Sequence, residues 1–497
     1  MRLETLLNGL SDYEILYGRG EYDKEILRLS ADSRLSQTNG LYFCLTGGET
    51  DGHAFAKEAI RKGAVALVVE RKLDVDVPQI LVENSRKALA LLSAEFYQNP
   101  SKTLKIIAVT GTNGKTTTAY MLKAILEKDG KRAGIIGTLG ASFEEKTFPH
   151  ELTTPDPIAL QRTLAQMRDL GAEYVVMEVS AHALYYQKVA GMTFAACIFT
   201  NFTQDHLDFF KSMDEYKKAK KSLFSPEFTP VCILNGDDET GREFGEEWER
   251  KRTKKCKKSL YYGLNTPSDA FAIITSESLR ATECLLNVND KLCRVSLALA
   301  GSHNVYNALA AATCAMELGV SVSSVSLGLS TLKGVKGRLE RVASYHGGEI
   351  FVDFAHTPDG LKQSLSTLKT HCKGRLICLF GCGGNRDKSK RAIMGETVAK
   401  LCDFCVLSSD NPRYEDPLDI LSEIEKGYRR FSMRYVIVPQ RRAAIEYALD
   451  FLKENDVLLL AGKGGETEQE IMGIKYPFNE NDIIEKIIEE KTRISNE

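Results

Sequence analysis

The segment Val109-Thr110-Gly111-Thr112-Asn113-Gly114-Lys115-Thr116-Thr117-Thr118 carries the strongest chemical signal in the chain. It lies between an apolar run, Leu104–Thr110, and a stretch with helical spacing that reaches about Lys128. A phosphate-binding loop requires that strand–loop–helix context. Gly111 and Gly114 let the backbone wrap phosphates, and the N–H groups that open the helix have no intrahelical partner. Lys115 supplies a point charge for the outer phosphates, and the Thr116 hydroxyl can be placed on Mg2+. The general pattern has Gly five residues before Gly114; here that residue is Val109, so the loop is a variant.

Glu178 ends the apolar run Tyr174–Met177. A carboxylate at the end of a buried strand, downstream of a phosphate loop, is placed to hold Mg2+ directly or through water. His206, in the stretch Thr200–Asp208, offers a neutral imidazole as a second ligand, although a lone histidine is more often structural. Tyr216–Phe224 reads by composition as an ordinary basic helix face, and Lys251–Lys258 as a solvated one.

Three polar loops follow apolar runs late in the chain. They are Gly381–Asp387, Ser408–Arg413 and Ala461–Glu466. In a parallel sheet such loops share one edge, and ligands bind in the crevice there. Arg386 and Arg413 can clamp carboxylates bidentately, while Asp410 and Glu466 can hold an ammonium group. The cysteines Cys378, Cys382, Cys402 and Cys405 imitate a zinc site. Cys378 lies within one apolar run and Cys405 begins another, so thiols packed as small hydrophobes are the better reading.

The elements that must position these residues fall into three blocks, in keeping with a length of 497 residues. Residues 1–100 read as a small α/β domain, with strands at Leu41–Leu45 and Ala64–Val69 and helices at His53–Lys62 and Ser85–Gln98. Residues 101–337 hold the phosphate loop and end at the glycine-rich Lys333–Gly337 junction. Residues 338–497 alternate five strands with four helices, which implies a parallel, helix-covered sheet of Rossmann type. The fold class is therefore α/β.

Lys plus Arg number 65 and Asp plus Glu 67, so no basic field marks a nucleic-acid binder. No apolar run approaches a membrane span, and from the residues that follow Met1 we expect no signal segment. The 12 cysteines do not form a secreted disulfide framework. We expect a reduced, cytoplasmic, soluble protein that acts as a monomer.

Together these motifs resemble the Mur ligases of peptidoglycan synthesis, most closely those that add the third residue of the peptide. The likeness runs through Asp32-Ser33-Arg34, the phosphate loop, Thr153-Thr154-Pro155, Glu178-Val179-Ser180-Ala181-His182, Asn201 to Asp208 and Tyr216 to Phe224. It continues through His303-Asn304-Val305-Tyr306-Asn307, Gly337-Arg338-Leu339-Glu340, Asp353-Phe354-Ala355-His356-Thr357-Pro358 and Asp410-Asn411-Pro412-Arg413. The resemblance implies a UDP-binding first domain, a central ATPase and a Rossmann-like third domain. It implies phosphorylation by ATP of the D-Glu carboxylate of UDP-MurNAc-L-Ala-D-Glu, then attack by the amine of a diamino acid.

By the same resemblance, Ser33, Thr46 and Gly47 meet the uridine nucleotide, and Thr153, Thr154, Ser180 and Lys188 the muramoyl dipeptide. Gly111, Thr112, Asn113, Gly114, Lys115, Thr116, Thr117, Asn304, Arg338, Asp353 and His356 hold ATP. Lys115, Glu178, His206 and Lys220 are the catalytic set, and Thr116, Glu178, His206 and a carbamylated Lys220 place magnesium. Arg386, Asp410, Asn411, Pro412, Arg413, Gly462 and Glu466 form the acceptor site, with Arg413 favouring meso-diaminopimelate over L-lysine. The chain departs from the family pattern at Ala181, Lys188 and Gly465, where Ser, Arg and His are usual. A folylpolyglutamate synthase is the rival enzyme; the domain before the phosphate loop and Asp-Asn-Pro-Arg argue against it. A non-catalytic nucleotide-dependent scaffold would not need the catalytic set.

Overall fold

The computed structural model describes all residues except 17–23, 48–49, 150, 227, 229, 255, 257–258 and 497. Lys255, Lys257 and Lys258 of the expected solvated stretch thus lie outside the described residues, while Lys251 and Arg252 are exposed.

Among the described residues, three large sheets succeed one another along the chain. The first has five strands, in the order Glu14–Leu16, Gln79–Leu81, Ala64–Val69, Gly40–Phe43 and Arg28–Ser30. All pair in parallel except the first, an antiparallel edge.

The second sheet has eleven strands. At its centre Cys232–Asn235, Ala196–Phe199, Lys105–Thr110, Tyr174–Glu178 and Ala133–Gly137 lie side by side in parallel. The run Lys105–Thr110 is buried from its second residue on, as a strand covered on both faces must be. The helix Lys115–Lys128 lays Ala119, Met121, Leu122, Ile125 and Leu126 onto this sheet and the helix Ser302–Glu317. Each such large side chain contributes about 1.5–3 kcal/mol through burial. Antiparallel strands extend both ends of the sheet: Gly140–Phe143 and Lys146–Phe148 at one, Thr282–Val288 and Lys291–Leu297 at the other.

The third sheet orders Glu340–Tyr345, Gly348–Asp353, Val457–Ala461, Leu376–Phe380, Phe404–Leu407 and Tyr435–Ile437. It is parallel except for the first strand, an antiparallel edge that the expectation of an all-parallel sheet omits. A separate hairpin pairs Glu468–Ile471 with Ile474–Pro477.

Register explains why the chemistry converges. Glu178 sits opposite Val109, and Phe199 opposite Thr110. The phosphate loop, the strand-end carboxylate and the Thr200–Asp208 stretch therefore leave one edge of the sheet together. In the third sheet Asp353 aligns with Ala461 and Phe380 with Leu407, so the three polar loops leave a single edge as well. Among the described residues, no helix is long and apolar enough to cross a membrane.

Candidate active site

The phosphate loop is shaped by its glycines. Gly111 has φ +146° and Gly114 φ +85°, and a Cβ at Gly111 would lie 1.9 Å from Thr200 Oγ1. Thr200 Oγ1 donates to the Asn113 carbonyl at 2.6 Å, and Asn201 Oδ1 accepts from Asn113 N at 2.9 Å. The loop is thus braced by the neighbouring strand end. Lys115 Nζ curls back to the carbonyls of Gly111 (3.0 Å) and Thr112 (2.9 Å), and burial lowers its pKa. Thr117 is buried in the first helical turn.

A second layer surrounds Glu178. Its carboxylate accepts from Thr116 Oγ1 at 3.0 Å, Thr138 Oγ1 at 3.1 Å and Thr138 N at 2.8 Å. Thr138 Oγ1 also meets Thr153 Oγ1, and Thr154 Oγ1 donates to the Glu178 carbonyl at 2.9 Å. Ser180, next along, caps the helix Ala181–Tyr185 through its hydroxyl. Arg338 Nη2 donates to Thr116 Oγ1 at 2.8 Å, and its guanidinium lies over the Phe354 ring. Thr138 belongs to no motif in the sequence, so only the pairing of Ala133–Gly137 beside Tyr174–Glu178 identifies it.

Lys220 corrects the reading of its helix as an ordinary basic face. Tyr216, Ala219 and Lys220 recur at helical spacing and are buried, while Lys218 is exposed. Lys220 Nζ donates to the Gly111 carbonyl at 2.7 Å and lies 4.6 Å from the Tyr216 ring centre. Burial, with the charge of Lys115 nearby, drives its pKa well down. The buried side chain is therefore disposed toward the neutral amine.

His206 stands at φ +57° with its ring 5.8 Å from that of Tyr216. Burial outweighs the attraction of Asp205 and pushes its pKa down to about 3, so the imidazole is neutral at neutral pH. Asp205, buried, receives Lys390 Nζ at 3.3 Å, with His206 Nε2 at 3.4 Å and His356 Nε2 at 3.7 Å. Burial opposes its ionisation, yet His356, Lys390 and His206 together hold the carboxyl well below the usual range. Asp205 and Lys390 join the second sheet's edge to the third domain; no pattern marked them individually. Asn113 Nδ2 donates to Asp359 Oδ2 at 2.9 Å and makes a second such link.

Asn304 and Asp353 have structural partners. Asn304 Nδ2 donates to the Ala300 carbonyl, and Asn307 connects it to Thr118 of the phosphate-loop helix. The Asp353 carboxylate accepts from Leu339 N, Ala355 N and Ser364 Oγ, which fixes the strand end beside Arg338 and His356.

The residues matched to the UDP-muramoyl dipeptide lie farther apart. Ser33 Oγ donates to Glu58 and Thr46 Oγ1 to Glu70, both in the first domain. Gly47 N donates to the Thr50 carbonyl at 2.9 Å, and a Cβ on Gly47 would lie 2.4 Å from that oxygen. Arg86 Nη2 donates to the Thr46 carbonyl while its guanidinium lies over Tyr186, so Thr46 faces the second domain. Lys188 Nζ pairs with Asp156 at 2.7 Å.

At the third sheet's edge, Arg413 has φ +52°, and its Nε donates to Glu470 Oε2 at 3.0 Å and its Nη1 to the Gly384 carbonyl at 2.8 Å. Asn411 bridges Lys463 and Glu466, and the chain passes through Pro412 between Asn411 and Arg413. Asp410 is buried and packs so closely on Gly462 that a Cβ there would lie 2.4 Å from Asp410 Oδ2. Arg386 is more than half exposed and reaches Asp208 only at 4.0 Å. The expected carboxylate clamp is therefore not preformed: Arg413 already has a carboxylate partner. Glu470, which holds it, lies in a hairpin the sequence reading did not anticipate. Cys378, Cys382 and Cys405 are buried in the sheet and under its helices.

Hard oxygen donors suit Mg2+, and the Thr116 hydroxyl and Glu178 carboxylate supply two of them 3.0 Å apart. Lys220 and His206 share the Tyr216 ring beside the same loop. Thr116 and Glu178 are thus donors of a kind that fits magnesium, and Lys220 would contribute oxygen only once carbamylated.

A phosphate loop at one sheet edge is joined through Asp205 and Asp359 to a domain with its own polar edge, an arrangement of three α/β units that suits an ATP-dependent ligase. Residues 25–97 match the Mur ligase family catalytic domain, residues 109–315 the Mur ligase middle domain, and residues 337–464 the Mur ligase glutamate ligase domain. The chain is 40% identical to "UDP-N-acetylmuramoyl-L-alanyl-D-glutamate--2,6-diaminopimelate ligase" of Caldanaerobacter subterraneus subsp. tengcongensis, over 99% of this chain and 100% of the relative. It is 41% identical to a protein named as ligase 1 of the same kind in Clostridium acetobutylicum, over 99% and 100%. A solved structure, also titled as a UDP-N-acetylmuramoyl-L-alanyl-D-glutamate--2,6-diaminopimelate ligase, superposes with a TM-score of 0.68 at 29% identity, covering 96% of this chain and 98% of that one. The chain belongs to the Mur ligase family.

Proposed function

We propose that the chain joins an amino group of meso-diaminopimelate to the D-Glu carboxylate of UDP-MurNAc-L-Ala-D-Glu, with ATP converted to ADP and phosphate, in peptidoglycan precursor synthesis. The observation that carries this is the gathering of Lys115, Thr116, Glu178 and Lys220 on one phosphate loop, linked by Asp205 to the domain that bears Arg386 and Arg413. The relatives' printed name and the Asp410–Arg413 motif support the choice of acceptor.

A carboxylate is a poor electrophile. Transfer of the γ-phosphoryl group to it makes an acyl phosphate and releases ADP. The acceptor amine then forms a bond to the acyl carbon, loses a proton, and phosphate departs with one former carboxylate oxygen. Lys115 leaves its loop carbonyls to face the phosphates, and Gly111 to Gly114 supply N–H donors. Thr116, Glu178, His206 and carbamylated Lys220 would hold Mg2+, which offsets phosphate charge. Thr153, Thr154, Ser180 and Lys188 orient the dipeptide, while Ser33 and the Thr46–Gly47 segment take the uridine end. Asn304, Arg338, Asp353 and His356 complete the ATP site.

Incubation with one UDP-muramoyl dipeptide and a panel of amino acids, read by product mass, tests the assignment. Diaminopimelate is expected to be the preferred acceptor, and equal or better ligation of L-lysine would refute it. Arg413→Ala should lower kcat/KM for diaminopimelate roughly 30–150-fold, the equivalent of about 2–3 kcal/mol for a lost charge partner. KM for ATP should stay within about twofold.

A further inference from the structure

We propose that Glu470 is a specificity-determining residue of the acceptor site: with Arg413 it reads a substrate end that carries both a carboxylate and an ammonium group. The inference rests on the ligase reading above and concerns a residue outside every motif that supports it.

The hairpin Glu468–Ile471 and Ile474–Pro477 is seated directly on the Asp410–Arg413 loop. Arg413 N donates to the Glu470 carbonyl at 3.1 Å, and Met472 N donates to the Arg413 carbonyl at 2.7 Å. Backbone pairing on both sides thus fixes where the two side chains emerge. Arg413 Nε then meets Glu470 Oε2 at 3.0 Å, and Nη1 is turned to the Gly384 carbonyl. Arg413 Nη2 and Glu470 Oε1 form no hydrogen bond among the described residues. Both side chains remain partly open to solvent, at 20% and 30%. Within one ion pair, a guanidinium nitrogen and a carboxylate oxygen are thus left for a substrate to meet.

The neighbouring carboxylates are engaged otherwise. Glu466 is held by Lys463 and Asn411, and Glu468 pairs with Lys475. Glu470 is the one whose partner is the acceptor-site arginine. A pair of opposite charges this close discriminates by what it would leave unmatched. The side-chain ammonium of lysine, alone, meets the positive charge of Arg413. A lone distal carboxylate meets the negative charge of Glu470. Only an amino-acid end, as in diaminopimelate, matches both.

The test compares meso-diaminopimelate, 2-aminopimelate, which lacks the distal ammonium, and L-lysine, which lacks the distal carboxylate. The full-length enzyme is assayed with its UDP-muramoyl dipeptide and ATP. Wild type should favour diaminopimelate over 2-aminopimelate at least tenfold in kcat/KM. Glu470→Gln keeps the side chain's shape and an oxygen for Arg413 Nε but removes the charge. It should bring that ratio to within about threefold of unity, with KM for ATP and melting temperature unchanged. Glu470→Asp should recover part of the ratio. A wild-type ratio retained in Glu470→Gln, or an equal fall on both acceptors, would overturn the inference. Failure of the wild type itself to ligate diaminopimelate would remove the acceptor reading, and this inference with it.

Discussion

Lys115→Ala is expected to cut ATP turnover by at least about a thousandfold, since even one neutral donor to a developing oxyanion is commonly worth about a hundred- to a thousandfold. Lys115 Nζ donates to the Gly111 and Thr112 carbonyls, which places the cation on the loop that would take the phosphates. The helix it opens is held by buried apolar residues farther along, so the variant should fold. ADP release in the presence of dipeptide and acceptor measures the loss, and melting temperature serves as the control. Turnover above a tenth of wild type would contradict the role given to Lys115.

Lys220→Ala should be nearly as damaging, with a loss of roughly a hundredfold or more by the same electrostatic reasoning. Burial and the nearby charge of Lys115 disfavour its ammonium form. A neutral amine can attack the carbon of CO2 and, after losing a proton, becomes a carbamate with one negative charge. That exchange turns a group unable to bind a cation into an oxygen ligand. Labelled CO2 should give a carbamate signal in wild type by carbon-13 NMR that is absent from Lys220→Ala. Short carboxylic acids should restore part of the activity by occupying the vacated space. A fully active Lys220→Ala enzyme would exclude this role.

The parallel strands were legible because burial on both faces demands unbroken apolar runs, as in Lys105–Thr110, Leu376–Phe380 and Val457–Ala461. The edge elements were not. Lys291–Leu297 alternates buried and open positions from Cys293 on, and Ile474–Pro477 is exposed throughout, so neither has an unbroken apolar run to announce it. The phosphate loop was legible as local chemistry, since spacing within ten residues suffices. Lys220 was legible only through family likeness: a lysine among lysines shows nothing of burial until Tyr216 and Ala219 are seen to share its face. Thr138, Lys390 and Glu470 depend on contacts between segments distant in sequence, which no local pattern encodes.

The acyl phosphate is the centre of the account, and the fate of one oxygen tests it. UDP-muramoyl dipeptide labelled with oxygen-18 in the D-Glu carboxylate is incubated with ATP, acceptor and enzyme. The released phosphate is then weighed by mass spectrometry. Attack of the carboxylate on the γ-phosphorus makes one of its oxygens the bridge, and departure of phosphate from the acyl carbon carries that oxygen away. One labelled oxygen in each phosphate released is the expected result. Unlabelled phosphate alongside normal product would contradict the mechanism.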